Sequence, residues 1–427
     1  MRFASLTIKI TVLLATCFLL FGFLPCSSAA DQSVIKHVIV IFHENHTFDN
    51  YFGTYPGANG LIKNISLPTS KGSNQTVAPF HLSTSSTNDL DHSRQAALNC
   101  YNNGSMDGFV YTERSNLTMG YYNGSDIPYY WNYASRFVLL DNYFTSVMGP
   151  SLPNHFYLIA GQSDGIVENI DNYCFDGKLI MDELDRKSVT WAYYWEDGRA
   201  MASYDNPLPA CSTLQSNQSR INHLLPVDQF VSDVKNGTLS SVVWVVPKEN
   251  ESEHAPNDIV AGERYTVSLI NAVMESQYWN SSAIFLAWDD YGGWYDHVPP
   301  PQVDSLGYGF RAPCLIISPF AKQGFIDNAI ADHTSILKFI ETLYGLEPLA
   351  SRDAQADGLL EAFDFSQSPR TPLVLPGEYI PDHYPLAFSG ENLPSLNLGL
   401  IIVLIVIVSL IAFVISLTWR KSHDILK

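Results

Sequence analysis

Positive charge is what this chain has least of. Its 427 residues include 24 Lys and Arg against 43 Asp and Glu, a formal net charge of −19. A surface that pairs with nucleic-acid phosphates needs the opposite balance, so that class of partner is excluded. Charged residues of both signs make up only 16%. Cysteine is also sparse: there are six, and Cys17 and Cys26 fall in the N-terminal apolar region. The other four, Cys100, Cys174, Cys211 and Cys314, allow three pairings. Cys314 sits in an apolar strand pattern and reads as a buried thiol, which leaves Cys174 with Cys211 as the expected disulfide. No internal repeat is present. What is abundant is apolar surface, at 46% hydrophobic and 13% aromatic residues, enough for the core of one large domain or two ordinary ones.

Two runs stand apart from that core. Arg2 and Lys9 precede an apolar stretch, 10–24, that ends in Ser27-Ser28-Ala29-Ala30, the layout of a secretory signal over 1–30. Near the other end, 398–417 is 20 residues without a charge, followed by Trp419-Arg420-Lys421. That length spans a bilayer, and the flanking cations set its inner side. The expected organisation is a signal at 1–30, a catalytic domain at 31–350 and a Pro-rich wrap and stalk at 351–396. A transmembrane helix at 397–419 and a cytoplasmic tail at 420–427 complete it. The body is then exported, extracellular, and held at the cell membrane by its single C-terminal helix. Ten Asn-x-Ser/Thr sequons, at Asn45, Asn64, Asn74, Asn103, Asn116, Asn123, Asn217, Asn236, Asn250 and Asn280, agree with an exterior setting.

The body alternates strand and helix patterns. Strands are expected at 34–42, 137–140, 189–195, 242–246, 283–288 and 313–317. Helices are expected at 91–97, 156–160, 263–278 and 332–344. Such alternation implies an α/β fold with a mostly parallel central sheet covered by helices on both faces. In open sheets of this kind, ligands bind beyond the carboxyl ends of the strands.

The chain is organised around 283–298. An apolar run stops at Asp289-Asp290, then passes through Gly292-Gly293 to Asp296-His297. Adjacent carboxylates repel unless a cation or a shared proton neutralises them, and hard cations prefer oxygen ligands. A second apolar strand also ends in ligand-type side chains, His43-Glu44-Asn45. Gly149-Pro150-Ser151-Leu152-Pro153-Asn154 is a turn entering a helix. Ser151 is there either an ordinary N-cap or a group beside a phosphate at the positive helix end. His37, His43, His46 and His155 read as packing or surface residues. Asp49, Asp296 and His297 read as braces for their loops, and His333 as a helix-start residue.

Taken together these motifs resemble one family. They are Glu44-Asn45-x-x-Phe48-Asp49-x-Tyr51-Phe52-Gly53, Gly149-Pro150-Ser151-x-Pro153-Asn154, Glu253-His254 and Asp289-Asp290-x-Gly292-Gly293-x-x-Asp296-His297-Val298. With Arg311-Ala312-Pro313 and Asp332-His333-Thr334-Ser335 they are similar, in order, to the phosphoesterase family of bacterial phospholipases C and acid phosphatases. The resemblance implies an alkaline-phosphatase-like fold. It implies Ser151 as nucleophile and His254 as the acid for the leaving oxygen. It also implies His92, Asn154 and His223 on the phosphate, and Glu44, Asn45, Asp289 and Asp290 as ligands of one divalent metal ion. Ligand type favours Ca²⁺, Mg²⁺ or Mn²⁺, with Zn²⁺ admitted by the imidazoles nearby. His223 is preceded by Asn222 where the family often has a second histidine.

Two activities share such a site: an acid phosphatase acting on monoesters, and a phospholipase C-type phosphodiesterase. The first is the expectation, because neither a twin-arginine signal nor a long C-terminal accessory domain is seen. A sulfatase needs Cys-x-Pro-x-Arg, which is absent. A non-enzymatic cell-surface glycoprotein is the remaining alternative, and it sits poorly with a full set of ligand types and an intact serine.

Overall fold

Apolar runs with β-branched residues build the centre of the molecule. The computed structural model describes residues 32–376, apart from 172, 197, 199–202 and 216. The expected signal, transmembrane helix, tail and outer stalk lie outside the described residues. Among the described residues, no helix is long and apolar enough to cross a membrane.

Eight strands make the main sheet: β1 (His37–His43), β2 (Val138–Leu140), β3 (Trp191–Trp195), β4 (Leu224–Leu225), β5 (Val242–Val246), β6 (Ser282–Trp288), β7 (Cys314–Ile317) and β8 (Phe325–Asp327). Their order is β8-β2-β7-β6-β1-β5-β3-β4. β7 runs antiparallel to β6 and β2, and the other pairings are parallel. Every residue of β5 and β6 is buried, as is all of β1 after His37. Side chains alternate between faces along a strand, so both faces of the sheet are covered.

Helices that position the site are α1 (Phe48–Phe52), α2 (Arg94–Tyr101), α3 (Pro128–Arg136), α4 (Ser151–Ala160), α5 (Ile259–Met274) and α6 (His333–Tyr344). α5 starts four residues before its expected position because Asp258 caps it, accepting from Val260 N at 2.8 Å. α4 likewise starts earlier, at Ser151, and all ten of its residues are buried.

Residues 363–375 pack on the body. Phe363 and Leu375 are buried, and Trp279 Nε1 donates to Arg370 O at 2.8 Å. The expected Cys174–Cys211 disulfide is not formed: among the described residues all four cysteines are free thiols. Cys211 is buried while Cys174 is exposed, whereas Cys314 is the buried thiol its strand pattern implies.

Candidate active site

Register brings the acidic ends together. β1 and β6 are parallel neighbours, with His43 opposite Trp288, the last residue of each. The next residues, Glu44 and Asp289, therefore leave the sheet side by side. Asn45 N donates to Asp289 Oδ1 at 2.9 Å. Asn45 has φ 63, and Gly292, at φ 56, lies against its carbonyl oxygen where a Cβ would collide. That close approach is why the second loop turns on glycine.

α4 delivers the serine to the same point. Ser151 Oγ donates to Glu44 Oε2 at 2.9 Å and lies 3.4 Å from Asp290 Oδ2. His155, expected as a packing residue, belongs to the site. It is four residues after Ser151 on one helix, hence on the same face. Its Nε2 is 3.1 Å from Glu44 Oε1 and 3.7 Å from Asp289 Oδ2.

Three buried carboxyls here face one another. Burial, then the charge of Asp205, pushes Glu44 up to about 7, against the pull of His254. Burial and then Glu44 push Asp289 up to about 7. Asp290 is held well above the usual carboxylate range by burial, then by Asp289 and Glu44. Burial lowers the His155 pKa, against the charges of Asp289 and Asp205. Among the described residues, both Asn45 side-chain atoms and Asp289 Oδ2 are buried without a hydrogen-bond partner. Buried polar atoms are normally satisfied. Oxygen donors crowded at negative charge, two of them from unpartnered groups, fit a hard divalent cation. Glu44, Asp289 and His155 offer ligand atoms within 4.8 Å of one another. Asn45 is only 2% exposed, so its sequon has no room for a glycan.

Two imidazoles stand at the rim. His254 Nδ1 donates to Ala255 O at 2.7 Å and His92 Nδ1 to Leu90 O at 2.8 Å. That leaves Nε2 of each ring to meet other groups. The rings are 5.5 Å apart. Burial opposes a charge on His254, but Glu44, Asp89 and Asp289 outweigh it, and its pKa is raised. Beside them a cleft of about 270 Å³ is lined by Asp89, Asp91, His92, Pro150 and Glu168 among others.

Sequence reasoning did not single out Glu253 as a support. It is buried, at φ 71, and accepts from Tyr51 Oη, Tyr130 Oη and Trp288 Nε1. Burial raises it to about 8. It roots the His254 loop on the last residue of β6. His333, read as a helix-start residue, holds Asp289 O through Nε2 at 2.8 Å. Asp49, Asp296 and His297 are loop braces, as expected.

Two assigned phosphate contacts need correction. Asn154 does not face the site: its amide donates to Gly149 O and Pro150 O at 3.2 and 3.1 Å, and its Oδ1 accepts from Val147 N. It shapes the turn before Ser151. His223 is farther off. Its Nδ1 bonds Trp191 O at 2.6 Å and its ring stacks on Trp191, the first residue of β3. That is the amino end of a strand parallel to β5 and β1, opposite the end where Glu44 emerges. An imidazole in a polar loop carries no information about which sheet edge it meets.

The chain is similar to several known proteins. A model of the phosphoesterase family matches residues 35–347. A non-hemolytic phospholipase C of Pseudomonas aeruginosa is 27% identical over 79% of this chain and 58% of its own length. Phospholipase C A of Mycobacterium tuberculosis is 26% identical over 82% of this chain and 81% of its own. Non-specific phospholipase C1 of Arabidopsis thaliana is 26% identical over 79% and 73%. The chain thus spans under two thirds of the Pseudomonas relative. Among solved structures, a phosphonate monoester hydrolase of Agrobacterium radiobacter aligns with a TM-score of 0.39 at 10% identity, over 73% of this chain and 74% of that one.

Proposed function

Because the chain belongs to the phosphoesterase family and is a phosphoric ester hydrolase, we propose that Ser151 is its nucleophile and a phospholipid-type phosphodiester its substrate. The observation that carries the first part is the Ser151 hydroxyl bonded between Glu44 and Asp290. The diester takes precedence over the expected monoester because the relatives are phospholipases C by name.

In this reading Ser151 Oγ attacks phosphorus in line and passes its proton to the Glu44 or Asp290 oxygen it already touches. His92 holds an equatorial oxygen through Nε2. His254, as imidazolium, protonates the leaving alkoxide. It then takes a proton from the water that cleaves the Ser151–phosphorus bond, and the carboxyl that accepted the Ser151 proton returns it to Oγ, freeing the serine. A divalent cation held by Glu44, Asn45, Asp289 and Asp290, with His155 beside them, would offset phosphoryl charge and favour the serine alkoxide. The test is a pair of chromogenic esters. Faster turnover of p-nitrophenylphosphorylcholine than of p-nitrophenyl phosphate supports the diester, and the reverse ranking restores the monoesterase.

His254→Ala should separate leaving groups. A general acid contributes roughly 10²–10⁴-fold, and p-nitrophenol needs little protonation. We therefore expect a large loss of kcat/KM, which reports the steps up to departure of the leaving group, on an alkyl diester and a small one on the p-nitrophenyl ester. The raised pKa keeps the acid form at higher pH, so wild-type alkyl-ester turnover falls as pH rises through it. That alkaline limb should vanish in the variant. Equal losses on both esters would remove the acid role.

We also propose that the body works outside the membrane, exported by 1–30 and tethered by 397–419. The uncharged run and its Trp-Arg-Lys border support this. So do sequons at exposed residues such as Asn64, Asn236 and Asn280.

A further inference from the structure

Arg311 has no part in the scheme above, yet it is completely buried and its guanidinium is fully engaged. Nε and Nη2 fork onto Asp296 at 2.9 and 3.0 Å. Nη2 also reaches Asp49 Oδ1 at 3.1 Å, and Nη1 donates to Asn59 O and Asp141 O at 2.8 and 2.7 Å. The plane rests on Phe48, 4.6 Å from the ring centroid.

Those partners are the far ends of the ligand loops. Asp49 closes the loop that leaves β1 through Glu44 and Asn45. Asp296 closes the loop that leaves β6 through Asp289 and Asp290. The two are stitched to each other as well: Asp296 Oδ2 accepts from Asp49 N, Asp49 Oδ2 from His297 N, and Thr47 Oγ1 donates to Tyr295 O. The backbone around Arg311 adds the third segment. Arg311 bridges Phe144, Thr145 N donates to Phe310 O, and Ala312 N to Tyr143 O, just ahead of Ser151. Three separate pieces of the site therefore meet at one residue.

We infer that Arg311 is a positioning residue that clamps the two ligand-bearing loops and the serine segment together, and so sets how tightly the divalent cation is held. The inference rests on the cation site proposed above. By ligand type Asp49, Asp296 and His297 could themselves take a cation, but the guanidinium already fills that role between the two carboxylates. A lysine cannot replace it, because three donors on a compact ammonium do not reproduce a planar fork with five.

The experiment is Mn²⁺ binding to the full chain, wild type against Arg311→Lys, by calorimetry and by the Mn²⁺ dependence of chromogenic-ester turnover. Supporting groups around a metal site govern roughly 10–100-fold in affinity. We expect the Mn²⁺ half-saturation to rise by that factor and kcat to recover at saturating Mn²⁺. A variant that only melts earlier, with half-saturation unchanged, overturns the clamp. Should Arg311→Lys not fold, Asp49→Asn serves: it keeps an oxygen for Arg311 but removes one charge, and a smaller shift in the same direction is expected. Unchanged affinity there also overturns the clamp. If the wild type binds none of Mn²⁺, Ca²⁺, Mg²⁺ and Zn²⁺, the cation site fails and the clamp with it.

Discussion

Ser151→Ala abolishes turnover, lowering kcat/KM on either ester by on the order of 10⁴-fold or more, the scale on which nucleophile deletions act. The variant should fold normally and bind the divalent cation as the wild type does. The structure gives reasons for both halves. The Ser151 hydroxyl does not cap α4, since Pro150 holds the cap position without a side-chain bond. Its removal leaves a methyl group where the Oγ lay against Glu44 and Asp290. The carboxylates and Asn45 stay in place. Ester-panel kinetics with cation calorimetry on the same sample checks the result. Wild-type turnover by the variant dismisses the assignment, and loss of cation binding alongside activity would make Ser151 a ligand first.

Asp289→Asn should have the other large effect, in two opposite directions. With cation present, affinity should fall by more than about 100-fold, since a ligand matters more than the outer groups that govern ~10–100-fold. Turnover at ordinary cation concentration goes with it. The cation-dependent rise in melting temperature should vanish too, a stabilisation that reaches about 2.7 kcal/mol at 100 times Kd. Without cation the sign reverses. The folded Asp289 carboxyl holds its proton to about 7, against an ordinary value of 3.8. Between those values the folded state binds more protons than the unfolded state, so metal-free stability falls as pH rises. The asparagine removes that contribution. Metal-free Asp289→Asn should melt at least as high as wild type at pH 7, and its stability should fall less across that window. A variant that melts lower at pH 7 without cation, yet still responds fully to it, contradicts the crowded-carboxylate account.

Some of this site was readable from residues alone, and the reasons are physical. The strands ending at Glu44 and Asp289 were visible because inner parallel strands are continuous apolar runs, and a carboxylate stops such a run abruptly. That the two ends are neighbours was not visible, because the His43–Trp288 register is a tertiary fact. His155 was within reach: its spacing from Ser151 puts both on one helix face, but a lone histidine in an apolar helix is more often packing. Asn154 was rightly tied to the serine turn, yet its amide is consumed by the turn's own carbonyls. His223 was carried over from a motif whose first histidine is Asn222 here, and the departure was the warning. Glu253 was visible as the motif neighbour of His254, but its supporting role was not. Its partners, Tyr51, Tyr130 and Trp288, come from three distant segments. Arg311 was noticed as part of a motif, but its work lies in closing loops that the linear chain keeps more than 200 residues apart.

The most direct measurement is acid quenching during turnover, followed by mass spectrometry of the peptide that contains Ser151. In the wild type with cation present, that peptide should carry the phosphorus-containing group left after p-nitrophenol departs, at a level set by the ratio of the two half-reactions. The adduct should be absent from Ser151→Ala and weak in Asp289→Asn. Sustained wild-type turnover with no adduct on this peptide at any quench time, together with an active Ser151→Ala, would contradict a covalent serine mechanism at this site.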